Sequence, residues 1–244
     1  MQILTDQKSL LDDVKQFTES HTPEPLLRYC LEIFRGRIVL ASSMAAEDQV
    51  LTDMVCKIDP AVRVITLDTG RLPQETYDVI EATQKHYGIK IQVLFPDYNL
   101  VEKMVDEHGP NLFLKSIEYR KLCCYVRKIE PLKRALEGAD AWICGLRKEQ
   151  SVTRTGLEPV VRDEQFGQTK VSPLLDWTTE QVWDYIHQNK VPYNKLHDKG
   201  YTSIGCAPCT RAIQQGENIR AGRWWWEQPE HKECGLHWNQ GGQK

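Results

Sequence analysis

The chain has 244 residues, 41% of them hydrophobic and 27% charged, and a formal net charge of −3. That length buries a sizeable core without disulfide staples and suits one large domain or one domain with an appended tail. The charge gives no footing for general nucleic-acid binding, and no apolar run approaches the roughly 20 residues that a membrane span needs.

The opening stretch, MQILTDQKSLLDDVKQF, lacks the basic-then-apolar pattern of a secretory signal, so a cytoplasmic location is expected. Apolar residues at helical spacing predict helices over Thr5–Glu19 and Pro23–Phe34. The short apolar run Arg37–Ala41 reads as a buried strand. It ends in a polar turn, Ser42–Asp48, before a helical pattern over Gln49–Ile58. A second strand, Val62–Leu67, ends in Asp68–Thr69–Gly70, and helix Gln74–Tyr87 follows, stopped by Gly88. Lys90–Leu94 is a third strand. Helices around Leu100–Glu107 and over Tyr119–Glu137 lead to a fourth, Ala141–Cys144, which runs into Gly145–Leu146–Arg147. After about Asp176 comes a helix, Thr179–Gln188, capped by Thr178 or Thr179. Beyond it lies a stretch rich in Gly, Trp, Cys and Arg with weak periodicity.

Strands alternating with helices predict an α/β fold, a parallel sheet flanked by helices. Ligands of such sheets sit beyond the carboxyl ends of the strands, and three polar loops follow strand ends here: Ser42–Asp48, Asp68–Arg71 and Gly145–Arg154.

Eight cysteines are many for a chain expected in a reducing compartment, where metal or thiol chemistry is the better default for clustered ones. Cys30, Cys56 and Cys144 stand in apolar or helical contexts and read as small buried hydrophobes. Cys123 and Cys124 are adjacent on a predicted helix, and Cys206-Ala-Pro-Cys209 is a CxxC turn. Four thiolates suit a 4Fe–4S cluster or a structural zinc. Adjacent helical residues project about 100° apart, which suits two irons of a cluster better than one tetrahedral ion. Cys234 stands apart in KECGLH, residues 232–237, and its context alone leaves it open between a reactive thiol with nearby cations and an incidental surface cysteine.

Several ordered motifs carry a resemblance. They are SSMAAED (42–48), LDTGR (67–71), Cys123–Cys124 followed by RKIEPL (127–132), Gly145–Leu146–Arg147 with Gln150, Ser151 and Arg154, GCAPCT (205–210), RAGRWWWE (220–227) and ECGLH (233–237). Together they resemble the assimilatory APS/PAPS reductases, in particular the iron–sulfur branch acting on adenosine 5′-phosphosulfate (APS), over about Arg37 to His237. One departure is Ala45, where the family's loop usually has Gly.

The resemblance implies an adenine nucleotide α-hydrolase-like fold with a modified pyrophosphate loop. It implies a nucleotide- and cluster-binding domain over 1–210 and a redox-active tail over 211–244. One 4Fe–4S cluster per chain is expected on Cys123, Cys124, Cys206 and Cys209, with Cys234 as nucleophile. Lys128, Arg220, Arg223 and His237 are expected around the sulfate. Ser42, Ser43, Leu67, Asp68, Thr69, Gly145, Arg147 and Arg154 are expected around the nucleotide. Attack of one anion on another needs those cations, since two unit charges about 4 Å apart repel by roughly 4 kcal/mol at an effective dielectric of 20. The implied reaction is reduction of APS to sulfite and AMP through an S-sulfocysteine, with thioredoxin or glutaredoxin as reductant and a homo-oligomeric assembly. Use of PAPS, with its extra 3′-phosphate, is the alternative. An ATP pyrophosphatase is remoter, because its loop would be glycine-rich and Cys234 would have no role.

Overall fold

The computed structural model describes residues 22–150, 157–228 and 232. The helix expected over Thr5–Glu19, and the site candidates Arg154, Cys234 and His237, lie outside the described residues. The chain divides into two compact units that interleave in sequence. The first takes 1–66, 78–92 and 138–194, and the second takes 67–77, 93–137 and 195–244, so the segment expected as a tail from 211 groups with residues from Lys195 on.

The first unit opens with helix α1, Pro23–Ile33, with Pro at its start, where a missing N–H costs nothing. Leu26, Leu27, Cys30 and Leu31 are buried along one face of it. Strand β1, Ile38–Ala41, lies at the middle of a six-stranded sheet. With β2 (Arg63–Leu67), β3 (Ile91–Leu94), β4 (Ala141–Ile143), β5 (Val160–Asp163) and β6 (Gln168–Val171), the order is β3-β2-β1-β4-β6-β5. β1 pairs in parallel with β2 and β4, and β4 in parallel with β6. Helices α2 (Ala46–Ile58), α3 (Gln74–Tyr87) and α7 (Thr179–Asn189) complete the unit. α7 carries a full capping box between Thr178 and Gln181. The core joins Leu40, Leu51, Met54, Ile143, Val171 and Ile186.

The expected α/β architecture stands, with one difference: β5 is an antiparallel edge strand on β6. Its hairpin closes at Gly167, whose φ of 78° suits a residue without Cβ and whose N–H bonds the Asp163 carbonyl at 2.7 Å.

The second unit contains α4 (Tyr98–His108), capped by Asp97, and α5 (Ile117–Cys124), capped by Ser116. The continuous helix expected over Tyr119–Glu137 is broken. A π-helical turn, Tyr125–Ile129, follows α5 and leads into α6, Glu130–Ala135. Pro131 has no N–H for an i→i−4 bond, and just before it the Glu130 N–H bonds the Tyr125 carbonyl five residues back. Met104, Leu112, Phe113, Val126 and Trp224 pack with Cys123, Cys206 and Cys209 into this unit's core. Among the described residues no helix is long and apolar enough to cross a membrane.

Candidate functional site

Within the second unit, Cys123 and Cys124 end α5, and Cys206 and Cys209 flank a single 3-10 turn held in place by an Ala207 N–H bond of 2.8 Å to the Arg71 carbonyl. All four thiols are 9% exposed and line one cavity of about 370 Å³ of atom-free space, part of it open to solvent. Arg71, Arg120, Arg127, Lys128, Arg223 and Trp224 complete its wall. The sequence pairs Lys128 with Cys124 one turn apart; in the structure, across the π-helical turn, both still face this cavity. Every cysteine among the described residues is a free thiol, and no three His, Cys, Asp or Glu side chains there close on a single point as ligands of one metal ion.

Cations and hydroxyls converge on the thiols. Burial alone would raise the Cys206 thiol, but the Lys128 ammonium, the Thr69 hydroxyl at 3.2 Å, and the Arg223 and Arg127 guanidiniums outweigh it and hold it below its ordinary value. Burial wins at Cys123, which is raised, and at Cys209, pushed up to about 11 by burial and by the charge of Cys206. Four donors on this wall are buried without an acceptor among the described residues: Arg71 Nη1, Arg127 Nε, Arg223 Nε and Trp224 Nε1.

Arg220 and Arg223 both face the Trp224 ring, at 5.9 and 4.6 Å from its centroid, as their spacing of three suggests. Trp224 is 1% exposed and holds φ at +40°, while Trp225 is exposed. Arg223 gives Nη1 to the Ile204 carbonyl at 3.0 Å, and Arg220 gives Nη2 to the Lys232 carbonyl at 2.9 Å. Gly205 is a glycine for Arg223's sake, because a Cβ there would meet the guanidinium at 2.5 Å.

Leu67, Asp68 and Thr69 form the turn after β2. Asp68 accepts from the Gly70 N–H and the Tyr77 hydroxyl, and the Thr69 carbonyl accepts from Arg127 Nη1 at 2.7 Å. Thr69, expected beside the nucleotide, thus reaches the cysteine cavity. Arg71, Arg120, Arg127 and Trp224 also line the cavity, although their sequence context alone assigns them no role. Helical spacing carried a signal for two of them, since 120 and 124, and 123 and 127, are each four apart.

In the first unit, Ser42–Asp48 turns from β1 into α2. Ala45 sits at φ −83°, which any residue adopts, so the missing glycine costs nothing there. The left-handed residue is Met44, at φ 62° and fully buried. Asp48 accepts from the Ser43 N–H at 2.7 Å, the Ser43 hydroxyl at 2.5 Å and the Gly145 N–H at 2.7 Å, which ties the loop to the turn after β4. The Asp48 carboxylate thus faces back into the loop. Gly145 is a glycine because a Cβ would lie 2.6 Å from Asp48 Oδ1 and 2.7 Å from Glu47 Cβ.

Arg147 is 2% exposed, and all five of its N–H donors are spent inside the protein. Nε and Nη2 bond Glu47 at 3.0 and 2.8 Å, Nη1 bonds Glu149 and the Trp177 carbonyl at 3.0 Å each, and Nη2 also bonds the Thr179 hydroxyl at 3.1 Å. In this arrangement it has no donor left for a phosphate.

Residues 37–212 match the phosphoadenosine phosphosulfate reductase domain family. An adenosine 5′-phosphosulfate reductase of Allochromatium vinosum is 49% identical over 231 residues, 95% of this chain and 90% of the relative. One of Burkholderia cepacia is 49% identical over 82% of this chain and 80% of its own length. Among solved structures, phosphoadenylyl-sulfate (PAPS) reductase from Candida auris in a phosphate complex superposes with a TM-score of 0.69 at 27% identity, covering 83% of this chain and 96% of that one. Yeast FAD synthetase matches with a TM-score of 0.54 at 15% identity, over 83% of this chain and 75% of its own, a likeness of fold alone.

Proposed function

We propose that this chain, which belongs to the phosphoadenosine phosphosulfate reductase domain family, reduces adenosine 5′-phosphosulfate to sulfite and AMP as an oxidoreductase of sulfate assimilation, toward cysteine biosynthesis. The observation that carries the reading is the convergence of Cys123–Cys124 and Cys206–Cys209 on one cavity rimmed by Lys and Arg.

A buried donor left without an acceptor costs about 1–3 kcal/mol, so four on one wall support a resident group rich in acceptors. A 4Fe–4S cluster, one per chain, held by Cys123, Cys124, Cys206 and Cys209 fits that requirement, because its sulfurs accept and four thiolates complete it. When bound, such a cluster supplies concentrated negative charge that orders the cations around it. Thiols supply the two electrons of the reaction.

Lys128, Arg220, Arg223 and His237 hold the sulfate and screen its charge, the arginines by their forked donors and the lysine as a point charge. Ser42, Ser43, Leu67, Asp68, Thr69 and Gly145 hold the nucleotide, with Arg154 on its phosphate. Arg147 is better read as a brace behind the Ser42–Asp48 loop. The Cys234 thiolate attacks the sulfur, the bond from sulfur to the phosphate oxygen breaks, and AMP leaves with that electron pair. A thiolate of thioredoxin or glutaredoxin then attacks Cys234 Sγ, and sulfite leaves with the S–S bonding pair. The reductant's second thiol resolves the mixed disulfide. We place the protein in the cytoplasm as a homo-oligomer, acting on neither nucleic acid nor membrane.

The test is an anaerobic assay of the purified chain with APS and with PAPS, thioredoxin supplied, beside iron and zinc counts. Sulfite from APS and about four irons per chain are expected, with no sulfite from Cys234→Ser. Wild-type sulfite formation by Cys234→Ser sinks the mechanism, one zinc in place of iron sinks the cluster, and faster turnover of PAPS reassigns the substrate.

A further inference from the structure

Outside the roles assigned above, the second unit contains, among its described residues, an ion pair almost fully shut off from water. Arg120 on α5 faces Glu227, with side chains 1% and 4% exposed. The contact is two-pronged: Nε to Oε1 at 2.7 Å and Nη2 to Oε2 at 3.0 Å. Removing one partner from such a pair strands a buried charge, so its geometry is strongly enforced. Three further contacts show what it joins. Arg120 lies one turn before Cys124 and hydrogen-bonds that thiol. Its guanidinium stacks 4.6 Å from the Trp224 ring centroid. Glu227 closes the turn that begins at Trp224, its N–H bonding the Trp224 carbonyl at 2.8 Å, and the Trp224 N–H bonds the Cys209 carbonyl at 3.2 Å.

Glu227 stands seven residues before Cys234 in sequence. We infer that Arg120 and Glu227 are a positioning pair, which fixes the take-off point of the segment bearing Cys234 to the helix that carries Cys123 and Cys124. This rests on the reading of Cys234 as nucleophile. A chain only seven residues long spans at most about 25 Å when fully extended, so where it starts limits where its thiol can reach.

The variant is Glu227→Gln, nearly isosteric and without the charge, with Arg120→Met/Glu227→Met as a second that keeps the volume apolar. Both are studied as full-length, iron-loaded protein, with circular dichroism and iron content to establish the fold. Amide hydrogen exchange over Trp224–Glu227 is expected to quicken at least tenfold while exchange in β1 and β4 stays at its wild-type rate. With APS and thioredoxin, kcat is expected to fall at least tenfold and KM to stay within twofold. Faster exchange with wild-type kcat makes the pair structural only and overturns the inference, as does unchanged exchange. Failure of both variants to fold likewise assigns the pair to stability alone and overturns it. A wild-type chain that makes no sulfite from APS points instead to failure of the functional reading, and the exchange rates still decide whether the pair holds the segment.

Discussion

Replacing Arg147 separates a brace from a phosphate ligand. In Arg147→Met the stem is kept and the guanidinium lost, so Glu47, 14% exposed, loses its cation, and the Trp177 carbonyl and Thr179 hydroxyl lose a donor. Breaking a buried pair from one side costs about 3–5 kcal/mol. At roughly 2–4 °C per kcal/mol for a chain of this size, Tm should fall by about 6–20 °C. Scanning calorimetry measures that fall, and AMP titration at a temperature where both proteins are folded measures binding. We expect the large drop in Tm with affinity for AMP changed less than threefold. A Tm within 2 °C of wild type together with a tenfold loss of AMP binding would refute the brace and return Arg147 to the substrate.

Three smaller changes test the same loop and its neighbourhood. Gly145→Ala pushes a Cβ against Asp48 and Glu47, and should cost about 1–3 kcal/mol and weaken AMP binding, read by urea titration and calorimetry. Burial raises the Asp48 carboxyl from 3.8 to about 6 against the pull of the Ser43 and Gly145 donors, so its contribution is full below pH 4 and is lost as pH rises through 6. Asp48→Asn should therefore gain about 3 kcal/mol relative to wild type between pH 3 and pH 7, and a flat difference in urea midpoints would contradict the burial argument. Thr178→Ala removes the α7 capping box and should lower Tm by about 2–4 °C, with kcat unaltered.

What the residues disclosed in advance follows from where the physics is local. Strands β1 and β4 are apolar runs buried in the sheet, β2 and β3 keep enough apolar residues to read as strands despite exposed Arg63 and Gln92, and each was legible within a residue or two. β5 and β6 were not, because Arg162, Asp163, Gln168 and Lys170 break the apolar signal and the strands exist through their pairing with each other. The π-helical turn had a visible cause in Pro131, which the apolar spacing around it overshadowed. The four cysteines stood out by type and spacing. Which donors around them lack acceptors depends on contacts between segments up to about 150 residues apart, and no local pattern encodes that. Arg147 shows the converse: a motif arginine looks the same in sequence whether its forks meet a phosphate or two glutamates.

The second unit's charges explain why its cysteine cavity is costly to build empty. Among its buried arginines, Arg120 has a carboxylate, Glu227. Among the described residues, the hydrogen bonds of Arg127 and Arg223, 8% and 7% exposed, run to uncharged groups: the Thr69 and Ile204 carbonyls, the Ser203 hydroxyl and the Cys123 thiol. A guanidinium stays charged at any physiological pH, so it cannot escape the cost of burial by losing its proton. Its counter-charge must come from whatever occupies the cavity it lines. Neutral thiols do not provide that charge, whereas four thiolates closed around an acceptor-rich group do, and an oxyanion beside them draws on the same cations. On the function proposed above, stability of this unit and attraction for a sulfated nucleotide would draw on the same arginines, and loss of a group held by the thiols should weaken both together.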